Sequence, residues 1–201
     1  MENDSELLHM PGHVIVVMAP MGSGKGTIIQ QALAAYPQLQ QTVSCTSRAA
    51  RPGEVDGVHY HFLTPEVFTA KIETGEFLEW AEFAGNKYGT LKSEIMPRLK
   101  NCEVAIVEMD LQGVEQLLQL LPRDCMTVVY IEAGGWEILR ARAEERAPMT
   151  KAELAARHQR FLVEQQAKPL ADVIIDNTKD ITLAHAEFSQ VIDDAYKNCK
   201  L

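Results

Sequence analysis

Apolar residues fall along this chain in two rhythms. Val14-Ile15-Val16-Val17-Met18, Val104-Ala105-Ile106-Val107, Met126 to Ile131 and Val173-Ile174-Ile175 run without polar alternation, as parallel strands covered on both faces require. Between these runs the spacing turns helical. Ile28, Ile29, Ala32, Leu33 and Tyr36 follow it until Pro37 blocks continuation, and Val114, Leu117, Leu118 and Leu121 follow it as far as Pro122. Further helices are predicted from Trp136 to about Arg146, from a cap at Thr150 through Leu154, Phe161 and Leu162, and through Ile181, Ala184, Phe188, Val191, Ile192 and Ala195. The stretch after the first helix is different. Thr42 opens a short strand, Val58, Tyr60 and Phe62 alternate with His59 and His61, Thr64-Pro65 starts a short helix ended by Gly75, and Leu78 to Phe83 returns as a strand. Alternating strands and helices predict an α/β fold with a mostly parallel sheet and helices on both faces, plus a small mixed insertion over its edge. No repeat or linker divides the chain.

The first apolar run leads into Ala19-Pro20-Met21-Gly22-Ser23-Gly24-Lys25-Gly26-Thr27 and then into the first helix. Strand, glycine-rich loop and helix start form an anion cradle. Glycines let backbone N–H groups turn inward, the helix start adds its positive dipole end, and Lys25 brings a mobile charge. The loop departs from the strict G-x-x-x-x-G-K-[ST] pattern, with Ala19 for the first glycine and Gly26 before Thr27. A hydroxyl at position 26 is therefore excluded as a magnesium ligand, and Gly24-Lys25-Gly26-Thr27 resembles the loop ending of adenylate kinases.

Composition narrows the partner. The 201 residues are 46% hydrophobic and carry a formal net charge of −9, so the surface repels nucleic acid and anionic membranes and a small-molecule partner is expected. Cys45, Cys102, Cys125 and Cys199 lie far apart, without the close pairing of a zinc or redox motif. They suit a reducing cytoplasm. No apolar run approaches the roughly 18 to 20 residues of a membrane helix, and the first residues are acidic where a signal peptide would be basic. His59 and His61 form a His-x-His pair with no further ligand spaced to join it.

Four stretches resemble guanylate kinases in content, order and spacing: residues 44–54 (SCTSRAARPGE), 57–62 (GVHYHF), 75–90 (GEFLEWAEFAGNKYGT) and 110–114 (DLQGV). The resemblance spans about residues 13 to 196. It implies one guanylate-kinase-like domain of P-loop NTPase type, with a core at about 13–42, 91–137 and 158–196. A GMP-binding insertion would occupy about 43–90 and a helical lid about 138–157. By resemblance, Ser44, Arg48, Arg51, Tyr60 and Tyr88 hold the GMP phosphate, where guanidinium groups suit an anion through paired charge-assisted hydrogen bonds. Glu79, Thr90 and Asp110 match the guanine-reading positions. A carboxylate accepts from guanine N1–H and the exocyclic amine, and a hydroxyl donates to O6. Adenine would leave such buried groups unpaired, at about 1 to 3 kcal/mol each.

The resemblance further implies ATP phosphates held by Gly22, Ser23, Gly24, Lys25, Gly26 and Thr27, with Asn177 near the adenine. Lys25, Arg142, Arg146 and Arg157 would supply catalytic cations, the arginines arriving from the lid. Magnesium would come with ATP and be held through waters near Glu108 and Asp110 rather than by direct ligands. The expected reaction is transfer of the terminal phosphate of MgATP to GMP or dGMP, in the cytoplasm. Two departures from the family stand out: Glu108 in place of aspartate, and residues 143–150 (AEERAPMT) without Gly-Arg-Gly. Two rival readings remain at this point, a guanylate-kinase-like binding module without catalysis and a kinase for another monophosphate.

Overall fold

The computed structural model describes residues 10–83, 85–146 and 149–199. Its central sheet contains β1 (His13–Met18), β2 (Gln40–Gln41), β7 (Val104–Glu108), β8 (Met126–Glu132) and β9 (Val173–Asp176). They lie side by side in the order β2-β7-β1-β8-β9, every pair parallel. Period two along the strands sorts the core into two layers. Val14, Val16, Met18, Val128 and Tyr130 meet α3 (Lys92–Lys100) and α4 (Leu111–Leu120) through Ile95, Leu99, Val114 and Leu117. Ile15, Val17, Ile106, Val129 and Ile131 meet α1 (Lys25–Ala35) and α7 (Ile181–Asn198) through Ile28, Ile29, Phe188 and Ile192. With both faces covered, polar alternation has no place in β1, which is why its sequence shows none.

The insertion is a sheet of its own, formed by β3 (Cys45–Thr46), β4 (His61–Phe62), β5 (Phe77–Phe83) and β6 (Asn86–Leu91) in the order β4-β3-β6-β5. Beneath it α2 (Pro65–Glu73) starts at a Thr64 cap, and Phe68 stacks on Phe77 with ring centroids 4.3 Å apart, next to buried Cys45. The expected strand at Thr42 resolves into two short strands, β2 and β3, in different sheets, and the chain crosses between the sheets there. The expected alternation from Val58 shortens to β4. Val55 N donates to His59 Nδ1, and only an isolated bridge joins Asp56 to Tyr60. His61 Nε2 lies 3.7 Å from Glu94, and among the described residues no group of three His, Cys, Asp or Glu is placed to hold a metal.

Neither β6 nor α3 is visible in the apolar pattern. The polar sequence of β6 becomes a strand because β5 supplies its antiparallel partner, and α3 contains Pro97, which ordinarily argues against a helix interior. Buried Ile95 and Leu99 anchor α3 against the sheet in spite of it. α5 (Trp136–Arg146) and α6 (Lys151–Gln165) complete the fold. They meet where Trp136 packs on His158 and Phe161, with centroids 4.7 and 5.9 Å away. Among the described residues no helix is long and apolar enough to cross a membrane.

Candidate active site

A cleft opens at the C-terminal ends of β1 and β7, where a parallel sheet concentrates ligand-binding loops. On the core side the loop after β1 closes over the start of α1. Gly24 caps this helix with φ of 84°, and a Cβ there would come within 2.6 Å of Asn177 Nδ2. Only glycine fits both the left-handed backbone and the close approach. The Gly24 cap has no side chain to offer; Lys25 N donates to Ser23 Oγ at 3.3 Å, and the next amides of the first turn remain for an anion. Lys25 Nζ lies 2.9 Å from Glu108 Oε2, and Glu108 Oε1 accepts from Gln41 Nε2 at 2.9 Å. Residues 22–27 line one cavity together with Arg160 and Glu164.

Across the cleft, the insertion builds a second anion pocket. Ser44, Arg48, Arg51, Tyr60 and Tyr88 line the same cavity as Lys25, Glu79, Glu108 and Asp110. Arg48 holds Glu54 in a two-pronged pair of 2.6 and 2.7 Å, and its Cζ sits 5.1 Å over the Tyr60 ring. Tyr60 in turn meets Tyr88 edge to face at 6.2 Å. Glu54 also accepts from Arg51 N at 2.7 Å, so one carboxylate shapes the loop that carries both arginines. The Arg48 guanidinium, with Arg51, holds this carboxyl well below the usual range, at about 2.

The inner end of this pocket is formed by strand pairing. Glu79 of β5 stands opposite Thr90 of β6, just past a register shift after Phe77. Both are buried, and Glu79 is 7% exposed. Burial lifts its carboxyl to about 7, with a further push from Asp110; Thr90 is near enough to hold the rise back, though its hydroxyl forms no hydrogen bond of full geometry. The Asp110 side chain caps α4, accepting from Gly113 N at 3.0 Å. A Cβ on Gly113 would meet Glu79 Oε2 at 2.8 Å, so this helix start and the buried carboxylate are packed against each other.

The lid-side arginines divide. Arg142 is half-buried on α5 and lines neither cavity. The side chain of Arg146 lies outside the described residues. Arg157 turns toward the α5–α6 seam and places Nη1 3.3 Å from Met21 Sδ of the phosphate loop, outside both cavities. The arginine of α6 that enters the cleft is Arg160, which the resemblance did not single out. Its Nε donates to Glu164 Oε1 at 2.6 Å. The physical reason is helical spacing: positions four apart share a face, so 160 and 164 look into the cleft together. That i,i+4 Arg–Glu pair was the one available signal. Asn177 is buried beneath the phosphate loop and donates to Ser23 O at 2.7 Å.

Glu108 ends β7 and Asp110 follows two residues on, and both line the cleft together with Lys25 of the phosphate loop. Each is already tied to a protein donor, through Lys25 and the α4 cap. Such a pair suits a hydrated magnesium better than a stripped one.

Kinases that pair a phosphate loop on a parallel sheet with a separate acceptor-binding subdomain form one class, the P-loop nucleoside monophosphate kinases, and this chain has that build. Residues 12–195 match the family model for guanylate kinase. A guanylate kinase of Synechococcus sp. is 42% identical over 146 residues, 73% of this chain and 79% of its own length. Another, from Rubrobacter xylanophilus, is 44% identical over 68% of this chain and 70% of its own. The guanylate kinase of Streptomyces coelicolor is 36% identical over 81% and 82%. The crystal structure of guanylate kinase from Anaplasma phagocytophilum superposes with a TM-score of 0.72 over 92% of this chain and 86% of that one; at 24% identity that likeness speaks for the fold. The chain belongs to the guanylate kinase family, and its relatives mark it as an ATP-dependent nucleoside monophosphate kinase.

Proposed function

We propose that this chain transfers the terminal phosphate of MgATP to GMP or dGMP, giving ADP with GDP or dGDP, in the cytoplasm. The observation that carries the reading is the buried Glu79 opposite Thr90 and beside Asp110, in a cleft that also holds two arginines and two tyrosines and faces Lys25. In this reading Ser44, Arg48, Arg51, Tyr60 and Tyr88 hold the acceptor phosphate. Glu79, once ionised, accepts from guanine N1–H and the amine, and Thr90 and Asp110 complete base recognition. Residues 22–27 cradle the ATP phosphates, and Asn177 supports that loop from below. The insertion at about 43–90 and the lid at about 138–157 close over both nucleotides and exclude water, bringing Arg142, Arg146 and Arg157 toward the phosphates.

The transfer needs alignment and charge neutralisation more than covalent help. Arg48 and Arg51 aim the acceptor oxygen, and Lys25 leaves Glu108 for the donor phosphates. Glu108 and Asp110 would hold a magnesium ion arriving with ATP, through waters, and the ion would supply neutralisation of the donor phosphates.

A coupled assay with ATP and magnesium against GMP, dGMP, AMP, CMP and UMP tests the reading. Turnover of GMP and dGMP far above the others is expected; preference for AMP would end the guanine assignment, and absence of turnover with every acceptor would favour a binding module.

A further inference from the structure

Two cavities meet in the cleft, one at the acceptor arginines and one at the phosphate loop. Among the described residues the cations lining the first are Lys25, Arg48, Arg51 and Arg160, and those lining the second are Lys25 and Arg160. Arg160 and Lys25 therefore share the position between donor and acceptor, where the phosphate in transit passes. Arg160 is also held from two sides, and its anchor from a third. Its Nε donates to Glu164 Oε1 at 2.6 Å, its Cζ lies 4.5 Å over the Phe83 ring of β5, and Glu164 Oε2 accepts from Met21 N of the phosphate loop at 3.3 Å. Glu164 is 9% exposed, so the anchor is a buried carboxylate rather than a surface charge. The two terminal amino groups of Arg160 make no hydrogen bond among the described residues.

We propose that Arg160 is a further catalytic residue, donating its terminal N–H groups to the phosphate being transferred, with Glu164 as its positioning residue. In the step, an acceptor phosphate oxygen forms a bond to the γ-phosphorus of ATP as the bond from that phosphorus to the β,γ-bridging oxygen breaks. The electron pair stays on the ADP oxygen. Negative charge spreads over the oxygens in flight, and a guanidinium anchored by Nε and open at both Nη groups meets them without reorganising. Because Arg160 touches β5 of the insertion and, through Glu164, the phosphate loop, its alignment depends on both halves of the cleft. The inference rests on the phosphoryl-transfer reading and not on the acceptor base.

The test compares Arg160→Gln, Arg160→Lys and Arg160→Ala with the wild-type chain, each on the monophosphate that the wild-type chain turns over best, so a wrong acceptor base changes the substrate and not the comparison. A kcat lower by about 100-fold or more in Arg160→Gln, with KM for both nucleotides within about threefold, is expected. Lysine should recover part of the loss, and added guanidinium should rescue Arg160→Ala. As an independent arm, calorimetry should find that adenosine joined through five phosphates to the nucleoside of that same acceptor binds Arg160→Gln at least about tenfold more weakly, while ATP and the acceptor monophosphate alone bind as before. A kcat within about threefold of wild type, or a loss confined to thermal stability and KM, would make Arg160 a strut between β5 and α6 and overturn the proposal.

Discussion

Glu79 carries the sharpest consequence at the level of single residues. A carboxyl lifted to about 7 by burial is largely protonated below neutral pH, whereas guanine needs it ionised to accept two donors. In the proposed reading loss of the proton accompanies GMP binding, so KM for GMP should rise by up to about tenfold per pH unit as pH falls below 7, and KM for ATP should not follow. Steady-state kinetics from pH 5 to 8 check this, and a flat GMP profile would remove Glu79 from base recognition. Lys25 gives a second expectation. Its partner in the free chain is Glu108, 2.9 Å away, on the donor side of the cleft. Lys25→Met should lower kcat by about 100-fold or more while calorimetry finds GMP affinity little changed; joint loss of both would argue against separate sites. At this scale the sequence was most readable where a motif fixes chemistry, as at Arg48, Arg51, Tyr60 and Tyr88, which line one cavity together. Arg160 was readable only as half of an i,i+4 pair with Glu164. An arginine on a polar helix face looks like any solvated charge until the partner strand bearing Phe83 is brought beside it.

Among the elements, α6 links stability to chemistry, since it carries Arg157, Arg160 and Glu164. It begins with a reciprocal cap in which Glu153 N donates to Thr150 Oγ1 at 3.3 Å and Thr150 N donates to Glu153 Oε2 at 2.8 Å. Thr150→Ala should cost about 1 kcal/mol of stability and lower kcat more than either KM, as read by thermal melting beside steady-state kinetics. An unchanged melting temperature would show that the helix start is held by packing instead. The boundaries of α5 and the caps of α2 and α6 followed from the sequence because proline, glycine and threonine act locally. β6 and α3 did not. The strand exists through its pairing with β5, and the helix persists around Pro97 because Ile95 and Leu99 are buried against the sheet.

On the scale of the whole molecule, the two cradles belong to two sheets, with the cleft between them and α6 bridging the gap through Arg160 and Glu164. Binding on one side alone leaves the opposite wall without a ligand to hold. Small-angle scattering should therefore find a smaller radius of gyration with GMP and a non-hydrolysable ATP analogue together than with either alone; equal values in all three states would remove closure from the account. What the chain's own order of residues determined is local in origin: continuous apolar runs that must be covered on both faces, helical spacing that must face a sheet, and a glycine-rich turn able to receive phosphate. These depend on neighbours within a few positions, so they are written in the sequence. Tertiary structure alone decided which strands lie side by side, that Glu79 is buried opposite Thr90 and lifted in pKa, that Lys25 rests on Glu108, and that Arg160 rather than Arg157 enters the cleft. Each is a meeting of segments distant along the chain, and burial and electrostatic coupling arise only once those segments are packed together.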